Sequence, residues 1–187
     1  MKKIPTLFIR EFENHRVKSI TDKIQPGLEW VLKGEGTPTV KWDGACCAII
    51  NGEFYKRYDA KKGKKPPVGA IPCCDPDPVT GHHPHWVTVD DTDPADKWFR
   101  NAFANSGPLP DGTYEAIGKH FNGNPYNLGT DELRPHGSDI IDDLTDRSFA
   151  GIKDYLQKHN IEGIVFWRYG EPKCKIKKKD FGLPWNV

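Results

Sequence analysis

The chain has 187 residues, and its 27 lysine and arginine residues against 26 aspartate and glutamate residues give a formal net charge of +1. This length favours a single domain with one core. The near-neutral charge argues against a protein that coats nucleic acid through its overall field. No apolar run is long enough to span a bilayer, and the charged first residues do not fit a signal peptide. We therefore expect a soluble, intracellular, cytoplasmic protein.

The cysteines are arranged as two adjacent pairs and one single residue: Cys46 and Cys47, Cys73 and Cys74, and Cys174. This arrangement fits neither an even disulfide framework nor the spacing of common zinc sites, so we expect reduced thiols. The stretch 73–85 is interpreted as a proline-rich surface loop, with a metal site as the alternative. The ligands of that alternative site are Cys73, Cys74, His82, His83 and His85.

The first predicted elements form a hairpin. In PTVKWDGACCAIINGEFYKRYD, apolar and aromatic residues flank Asn51-Gly52, a dipeptide that suits a tight two-residue turn because both positions tolerate positive φ. Lys41 then lies near the start of this hairpin. The next segment, 61–95, is rich in lysine, proline, glycine and aspartate without periodicity, which predicts a loosely structured, exposed insertion.

Helices and strands alternate in the second half of the chain. Asp93 as N-cap, Pro94 in the first turn and Gly107 as a stop predict a helix in DPADKWFRNAFANSG. The turn signature PDG at 110–112 introduces a strand, TDRSFAGIKDYLQKHN has helical periodicity, and IEGIVFWRYGEPKCKIKK predicts two strands about Gly170 and Glu171. The predicted fold class is α+β, with mostly antiparallel sheets flanked by helices.

Charged residues interrupt several segments that are otherwise suited to burial: Lys41, Asp43, Arg57, Glu115, Glu162, Lys175 and Lys177. An unpaired buried charge costs several kcal/mol or shifts its pKa, so these residues need one another or a charged ligand. Strand alternation puts Lys175 and Lys177 on one face, with Cys174 and Ile176 on the other. Two lysines on one face favour a phosphate site. Taken singly, each charge also fits a turn, a salt bridge or a protected edge strand.

Four short motifs occur in the order KWDG (41–44), YEAIG (114–118), EGIV (162–165) and KIK (175–177). This series resembles motifs I, III, IV and V of the covalent nucleotidyltransferases, the superfamily of ATP-dependent DNA and RNA ligases and mRNA capping enzymes. The stretches KWDGACC, IGKHFNGNPYNLG, PHG (135–137) and EGIVFW leading to DFGLPW resemble the compact stand-alone ATP-dependent 5′-to-3′ RNA ligases, the family that includes vertebrate RNA ligase 1. The resemblance begins near residue 39, and 61–95 aligns only loosely.

This resemblance implies a single minimal nucleotidyltransferase domain, an ATP-grasp-like ligase domain, over residues 1–187. Lys41 would attack the α-phosphate of ATP, expel pyrophosphate and hold AMP as a phosphoramidate. Because a protonated amine is not a nucleophile, Lys41 must first lose its proton, which burial, nearby lysines and a bound Mg²⁺ would favour. The same cations would stabilise charge on the phosphate oxygens. The implied catalytic residues are Lys41, Asp43, Lys175 and Lys177.

The resemblance also implies metal ligands. Asp43, Glu115 and Glu162 carry hard oxygen donors suited to Mg²⁺, with Mn²⁺ as an alternative ion, and Glu115 could instead contact the ribose. Arg57, in YKRYD, resembles the motif Ia arginine that contacts the nucleotide or the RNA 5′-phosphate.

The adenine would contact Thr39 through its backbone and Phe121 through its ring, and a core role for Phe121 stays open. Cys46 stands where many ligases have a basic residue, and the compact RNA ligases share this cysteine. The implied cofactor-binding set is Thr39, Lys41, Arg57, Glu115, Phe121, Glu162, Lys175 and Lys177.

The expected partners are ATP and RNA with 5′-phosphate and 3′-hydroxyl ends, and we expect a monomer that does not bind membranes. In the second and third steps, AMP would pass to the RNA 5′-phosphate and the 3′-hydroxyl would then displace it. Lysines of 61–65 and 177–179 would follow phosphates, or form a solvated face. The alternatives are a GTP-dependent mRNA capping guanylyltransferase, a DNA nick ligase and a catalytically silent RNA-binding module. The few residues after motif V argue against the capping enzyme.

Overall fold

Antiparallel strand pairing dominates the computed structural model, which describes residues 3–13, 16–78 and 80–185. The strands form sheets of two, three and six strands, and helices are few, so the predicted α+β class with mostly antiparallel sheets is confirmed. Two compact units divide the chain. The first consists mainly of Asp43–His136, and the second of Ile4–Trp42 together with the residues from Gly137 onward.

The first unit contains the six-stranded sheet. Its strands are β4 (Ala45–Ile50), β5 (Glu53–Ala60), β6 (Ile71–Pro72), β7 (His83–Thr88), β8 (Gly112–Ile117) and β9 (Glu132–Pro135), in the spatial order β6-β7-β5-β4-β8-β9. The β4–β5 hairpin turns at Asn51 and Gly52, whose φ angles of 53° and 78° are both positive, as the sequence predicts. Asp111 accepts hydrogen bonds from both turn amides at 2.6 and 3.0 Å, which fixes the turn.

The segment 61–95 is only partly a loose insertion. Within it, β7 pairs with β5 over six residues, and Trp86 on β7 is buried. Pro84 in HPHWVT hides this strand in the sequence, because proline is a poor strand former. Pro84 fits because its carbonyl still accepts a hydrogen bond from the amide of Cys73.

Helix α1 (Lys97–Ser106) packs on one face of this sheet. A 3₁₀ turn at Pro94–Asp96 precedes the helix, Asp93 caps that turn through the amide of Ala95, and Gly107 ends the helix. The predicted stop at Gly107 is correct, and the predicted cap Asp93 acts on the 3₁₀ turn that leads into the helix. The core between α1 and the sheet contains Cys47, Ile49, Ala102, Tyr114, Ala116, Phe121 and Leu133.

The second unit has its own core. Strands β1 (Phe8–Glu13) and β2 (Arg16–Ile24) form a hairpin, while β3 (Thr37–Lys41), β10 (Gly163–Arg168) and β11 (Glu171–Lys177) form a sheet in the order β11-β10-β3. Helix α2 (Phe149–Lys158) is capped by Ser148, and its Ile152 and Leu156 are fully buried. The turn between β10 and β11 is made by Tyr169 and Gly170, one residue earlier than the sequence suggests.

In the part of the chain that the structure describes, no helix is both long and apolar enough to cross a membrane.

Candidate functional site

One face of the three-stranded sheet in the second unit is polar. Central strand β10 places Gly163 opposite both Lys41 on β3 and Lys177 on β11, and places Val165 opposite both Thr39 and Lys175. Because residues directly opposite each other share a face, both predicted β11 lysines and Lys41 point to the same side.

The other face of the sheet is apolar. Ile164, Phe166, Cys174 and Ile176 are fully buried in the core of the second unit. The predicted alternation of Lys175 and Lys177 with Cys174 and Ile176 is therefore correct.

Glu162 pairs with two of these lysines. Its Oε2 forms an ion pair with Nζ of Lys41, and its Oε1 lies 3.4 Å from Nζ of Lys177. Only 8% of Glu162 is exposed. A Cβ added to Gly163 would lie 2.2 Å from the carbonyl oxygen of Ile176, so the residue after Glu162 must be glycine for β10 and β11 to approach.

Lys175 is a partly buried amine on this face with a lowered pKa. Burial is the main reason that its pKa falls to about 8, and the like charges of Lys41 and Lys177 lower it further, against the attraction of Glu162. Arg10, on β1, contributes a smaller effect in the same direction. A lysine with a lowered pKa among other cations is typical of functional sites.

The cluster carries excess positive charge. Lys41, Lys175 and Lys177 surround one described carboxylate, that of Glu162, so two positive charges are left over when all three amines are protonated. Such a surplus is costly at a partly buried site unless an anion binds there. The sheet face therefore has the composition of a phosphate-binding surface.

Thr39 is fixed beside these lysines. It is 1% exposed, and its Oγ1 accepts a hydrogen bond of 2.9 Å from the indole Nε1 of Trp167. Its hydroxyl is thus already engaged. The predicted backbone contact of Thr39 with adenine stays a prediction.

A basic cleft of about 540 Å³ lies in the second unit next to Lys177. Its charged lining residues are Arg10, Lys18, Lys153, Lys177, Lys179 and Asp180. Asp180 accepts from Arg10 at 2.7 Å and from the amide of Lys177 at 2.9 Å, so it orients two groups of the lining. Phe149 and Phe181 add aromatic surface. The sequence interpretation misses Arg10 and Asp180, although Arg10 interrupts the apolar pattern of TLFIREF.

The remaining predicted residues belong to the first unit. Cys46 and Glu115 are direct partners across β4 and β8, and Arg57 on β5 forms a hydrogen bond with the Cys46 side chain. Arg57 also pairs with Asp59 at 2.8 Å. Glu115 accepts from the amide of Gly44 at 3.1 Å and lies 2.9 Å from Nε2 of His136. Arg57, Cys46 and Glu115 thus form a polar row across three strands.

Asp43 is held by the loop that follows β8. Its Oδ1 accepts from the Asn122 amide at 2.9 Å, and its backbone amide donates to the hydroxyl of Tyr126 at 2.6 Å. The last residue of KWDG, Gly44, must be a glycine for steric reasons, because a Cβ there would lie 2.1 Å from the carbonyl oxygen of Ala116. Asn122 and Tyr126 lie within IGKHFNGNPYNLG, but the sequence assigns them no role, since their contact with Asp43 has no local signal.

Phe121 lies in the core of the first unit. It is 6% exposed and packs edge-on against Phe99, with ring centroids 5.3 Å apart. This placement favours the core role that the sequence leaves open. Adenine stacking on Phe121 stays a prediction.

The predicted metal ligands are distributed over both units, with Asp43 and Glu115 in the first and Glu162 in the second. Asp43 and Glu115 already accept hydrogen bonds. Their carboxylate oxygens are hard donors, and this chemistry fits Mg²⁺.

The stretch 73–85 does not form the alternative metal site within the described residues, because no three of its potential ligand atoms lie within 4.8 Å of one another. The described residues of that stretch exclude residue 79.

No family model matches the chain. Among curated proteins, the chain is similar to RNA ligase 1 of Danio rerio, with 31% identity over an alignment that takes in 57% of this chain and 43% of that protein. The chain thus spans less than half the length of this relative. The similarity supports a distant relationship to a protein named as an RNA ligase.

Proposed function

We propose that this protein is an ATP-dependent RNA ligase that works through a lysyl-AMP intermediate on Lys41. The observation that carries the proposal is the cluster of Lys41, Lys175 and Lys177 around Glu162 on one sheet face. A nucleophilic amine and a surplus of cations are the groups that nucleotidyl transfer from a polyphosphate needs. The similarity to an RNA ligase supports the same class.

In the proposed first step, Nζ of Lys41 attacks the α-phosphorus of ATP. The new N–P bond forms as the bond to the bridging α–β oxygen breaks, and pyrophosphate leaves. Glu162, in contact with Nζ of Lys41, is placed to orient the amine and to accept its proton. Lys175 and Lys177 would stabilise the charge on the phosphate oxygens and on the leaving pyrophosphate.

Mg²⁺ would neutralise part of the polyphosphate charge when bound, and the carboxylates of Asp43, Glu115 and Glu162 are proposed as its ligands because they carry the hard oxygen donors that this ion prefers. Arg57 is proposed to contact the nucleotide or the 5′-phosphate of RNA, because its planar fork suits phosphate oxygens. Its present partners, Asp59 and the Cys46 side chain, orient the guanidinium.

The basic cleft supports RNA as the second substrate. Its lining carries five cationic side chains and one carboxylate, which favours the phosphates of a strand. Lys177 belongs both to this lining and to the Lys41 cluster, so a strand bound in the cleft would approach the proposed nucleophile. Replacing both Lys153 and Lys179 by alanine should therefore make the negative slope of log affinity for single-stranded RNA against log salt concentration shallower by about 1.4.

The test of the proposed function is ligation of an RNA oligonucleotide with a 5′-phosphate and a 3′-hydroxyl in the presence of ATP and Mg²⁺. We expect a joined product with ATP and none with GTP, and less product with DNA of the same sequence. Lys41→Arg should abolish the product, while Lys33→Arg, at an exposed position of the same unit, should not.

A covalent adduct formed from labelled GTP and not from labelled ATP would identify the protein as a guanylyltransferase and exclude the ATP-dependent ligase. RNA binding without any covalent adduct would identify a silent binding module.

A further inference from the structure

We propose that Cys46, Glu115 and His136 form a binding site for Zn²⁺ or a similar divalent transition metal. One potential ligand atom of each residue, a sulfur, an oxygen and a nitrogen, lies within 4.8 Å of the other two. Among the described residues, these three side chains form the one group of three potential metal ligands whose ligand atoms all lie within 4.8 Å of one another. The proposal goes beyond RNA ligation and does not depend on it.

Strand pairing builds the site. Cys46 on β4 is the direct partner of Glu115 on β8, and the amide of His136, just after β9, donates to the carbonyl oxygen of Thr113. Because Thr113 and Glu115 are two residues apart on one strand, their side chains share a face. Three neighbouring strands thus fix all three ligands on one side of the sheet.

The donor set selects the class of metal. A thiolate, an imidazole and a carboxylate suit Zn²⁺, which commonly binds three protein ligands and one water, whereas Mg²⁺ does not favour thiolate. Ligands of a tetrahedral zinc ion lie about 3.5 Å apart, so atoms that lie within 4.8 Å of one another need shifts of at most about 1 Å to bind one. All three side chains are partly exposed, which gives them room to rotate and gives the ion a path to the site.

Neighbouring groups can support the ligands. Nδ1 of His136 lies 3.0 Å from Oγ1 of Thr113, a hydroxyl that can accept a hydrogen bond from Nδ1–H; the tautomer with its proton on Nδ1 leaves the lone pair of Nε2 for the metal. The metal would replace the present contact of 2.9 Å between Nε2 and Oε2 of Glu115. The amide of Gly44 would continue to hold Oε1 of Glu115.

The charges balance on binding. The Cys46 thiol loses one proton to solvent, and the thiolate and the Glu115 carboxylate together neutralise the two charges of the ion. Arg57, which forms a hydrogen bond with the Cys46 side chain, can donate to the resulting thiolate.

The experiment is titration of the full chain with Co²⁺, which reports a cysteine ligand by a sulfur-to-metal charge-transfer absorption. We expect this absorption to appear in excess Mg²⁺ and to disappear when Zn²⁺ is added. Cys46→Ser should remove it. His136→Asn, which keeps a group that can bond Thr113, should weaken metal binding by more than about 100-fold, because losing a supporting partner alone costs about 10- to 100-fold.

Cys74→Ser is the matched control, since it removes a thiol of the alternative stretch 73–85 and should leave the absorption unchanged. Circular dichroism of each variant checks that it is folded. An absorption that persists in folded Cys46→Ser, that is lost in Cys74→Ser, or that never appears in the parent protein would overturn the proposal.

Discussion

Lys175→Met is the substitution that most clearly separates stability from function in this protein. Burial and neighbouring lysines lower the pKa of Lys175 to about 8. A folded-state pKa below the unfolded value means that the fold disfavours the protonated amine. This cost is fully present below about pH 8 and disappears as the pH rises towards the ordinary lysine value. Methionine has a similar length and no charge, so it should remove the cost.

The magnitude follows from the two pKa values. The interval between about 8 and the ordinary 10.5 corresponds to about 3 kcal/mol. At pH 7, Lys175→Met should therefore raise the free energy of unfolding by about 3 kcal/mol. The gain should fall to about 2 kcal/mol at pH 9 and to almost zero at pH 11, where the amine is neutral in both states.

The assay is urea denaturation of the parent and the variant at pH 7 and pH 9, with the gain read from the shift in midpoint at constant m value. Lys173→Met is the matched control on the same strand. Its amine pairs with Glu171 near the turn, so its removal should change stability by less than about 1 kcal/mol. If Lys175→Met gives no stabilisation, or the same stabilisation at both pH values, the protonated amine of Lys175 does not destabilise the fold.

Three further predictions concern other parts of the chain. Glu162→Gln should lower the free energy of unfolding by about 2 kcal/mol at pH 7, because it leaves two lysines without their carboxylate. The control Glu35→Gln, which removes one partner of an exposed ion pair, should lower it by less than about 1 kcal/mol. Urea denaturation measures both changes. Gly44→Ala should lower the thermal unfolding temperature or prevent folding, because its Cβ would lie 2.1 Å from the carbonyl oxygen of Ala116. The control Gly129→Ala should leave the unfolding temperature unchanged, because a Cβ there would have open space around it. Desolvation and the nearby Glu115 carboxylate raise the pKa of the Cys46 thiol to about 12. In the native state, iodoacetamide should therefore alkylate Cys46 more than about 100-fold more slowly at pH 8 than at pH 11, measured by peptide mapping, whereas an ordinary thiol differs by only about 10-fold; a difference of about 10-fold or less would contradict the raised pKa.

Local signals in the sequence account for much of the fold. Asn51-Gly52, the Asp93 cap and the alternation around Cys174 each specify their structure through nearby residues, and each prediction is correct. The strand at 83–88 has no such signal, because its stability depends on pairing with β5, a contact between distant parts of the chain. The hairpin of β1 and β2 is hidden as well, since its residues carry charges at many strand positions.

The candidate site divides in the same way. The order of Lys41, Glu162, Lys175 and Lys177 and their alternation can be inferred from sequence, and strand pairing brings these four together. Arg10 could not be assigned, because its effect on Lys175 depends on tertiary packing.

The first unit holds similar cases. The contact of His136 with Glu115 depends on the packing of β8 beside β9, and the hydrogen bond between Tyr126 and Asp43 depends on a loop conformation. Neither relation has a local sequence signal.

In the proposed reaction, Lys41 becomes covalently bound to adenylate. Intact-mass analysis of the protein after incubation with ATP and Mg²⁺, followed by peptide sequencing in the mass spectrometer, tests it directly. We expect a mass gain of one AMP that is located on Lys41, is absent from Lys41→Arg, and is released by pyrophosphate. An unmodified mass, or an adenylate located on another side chain, would contradict it.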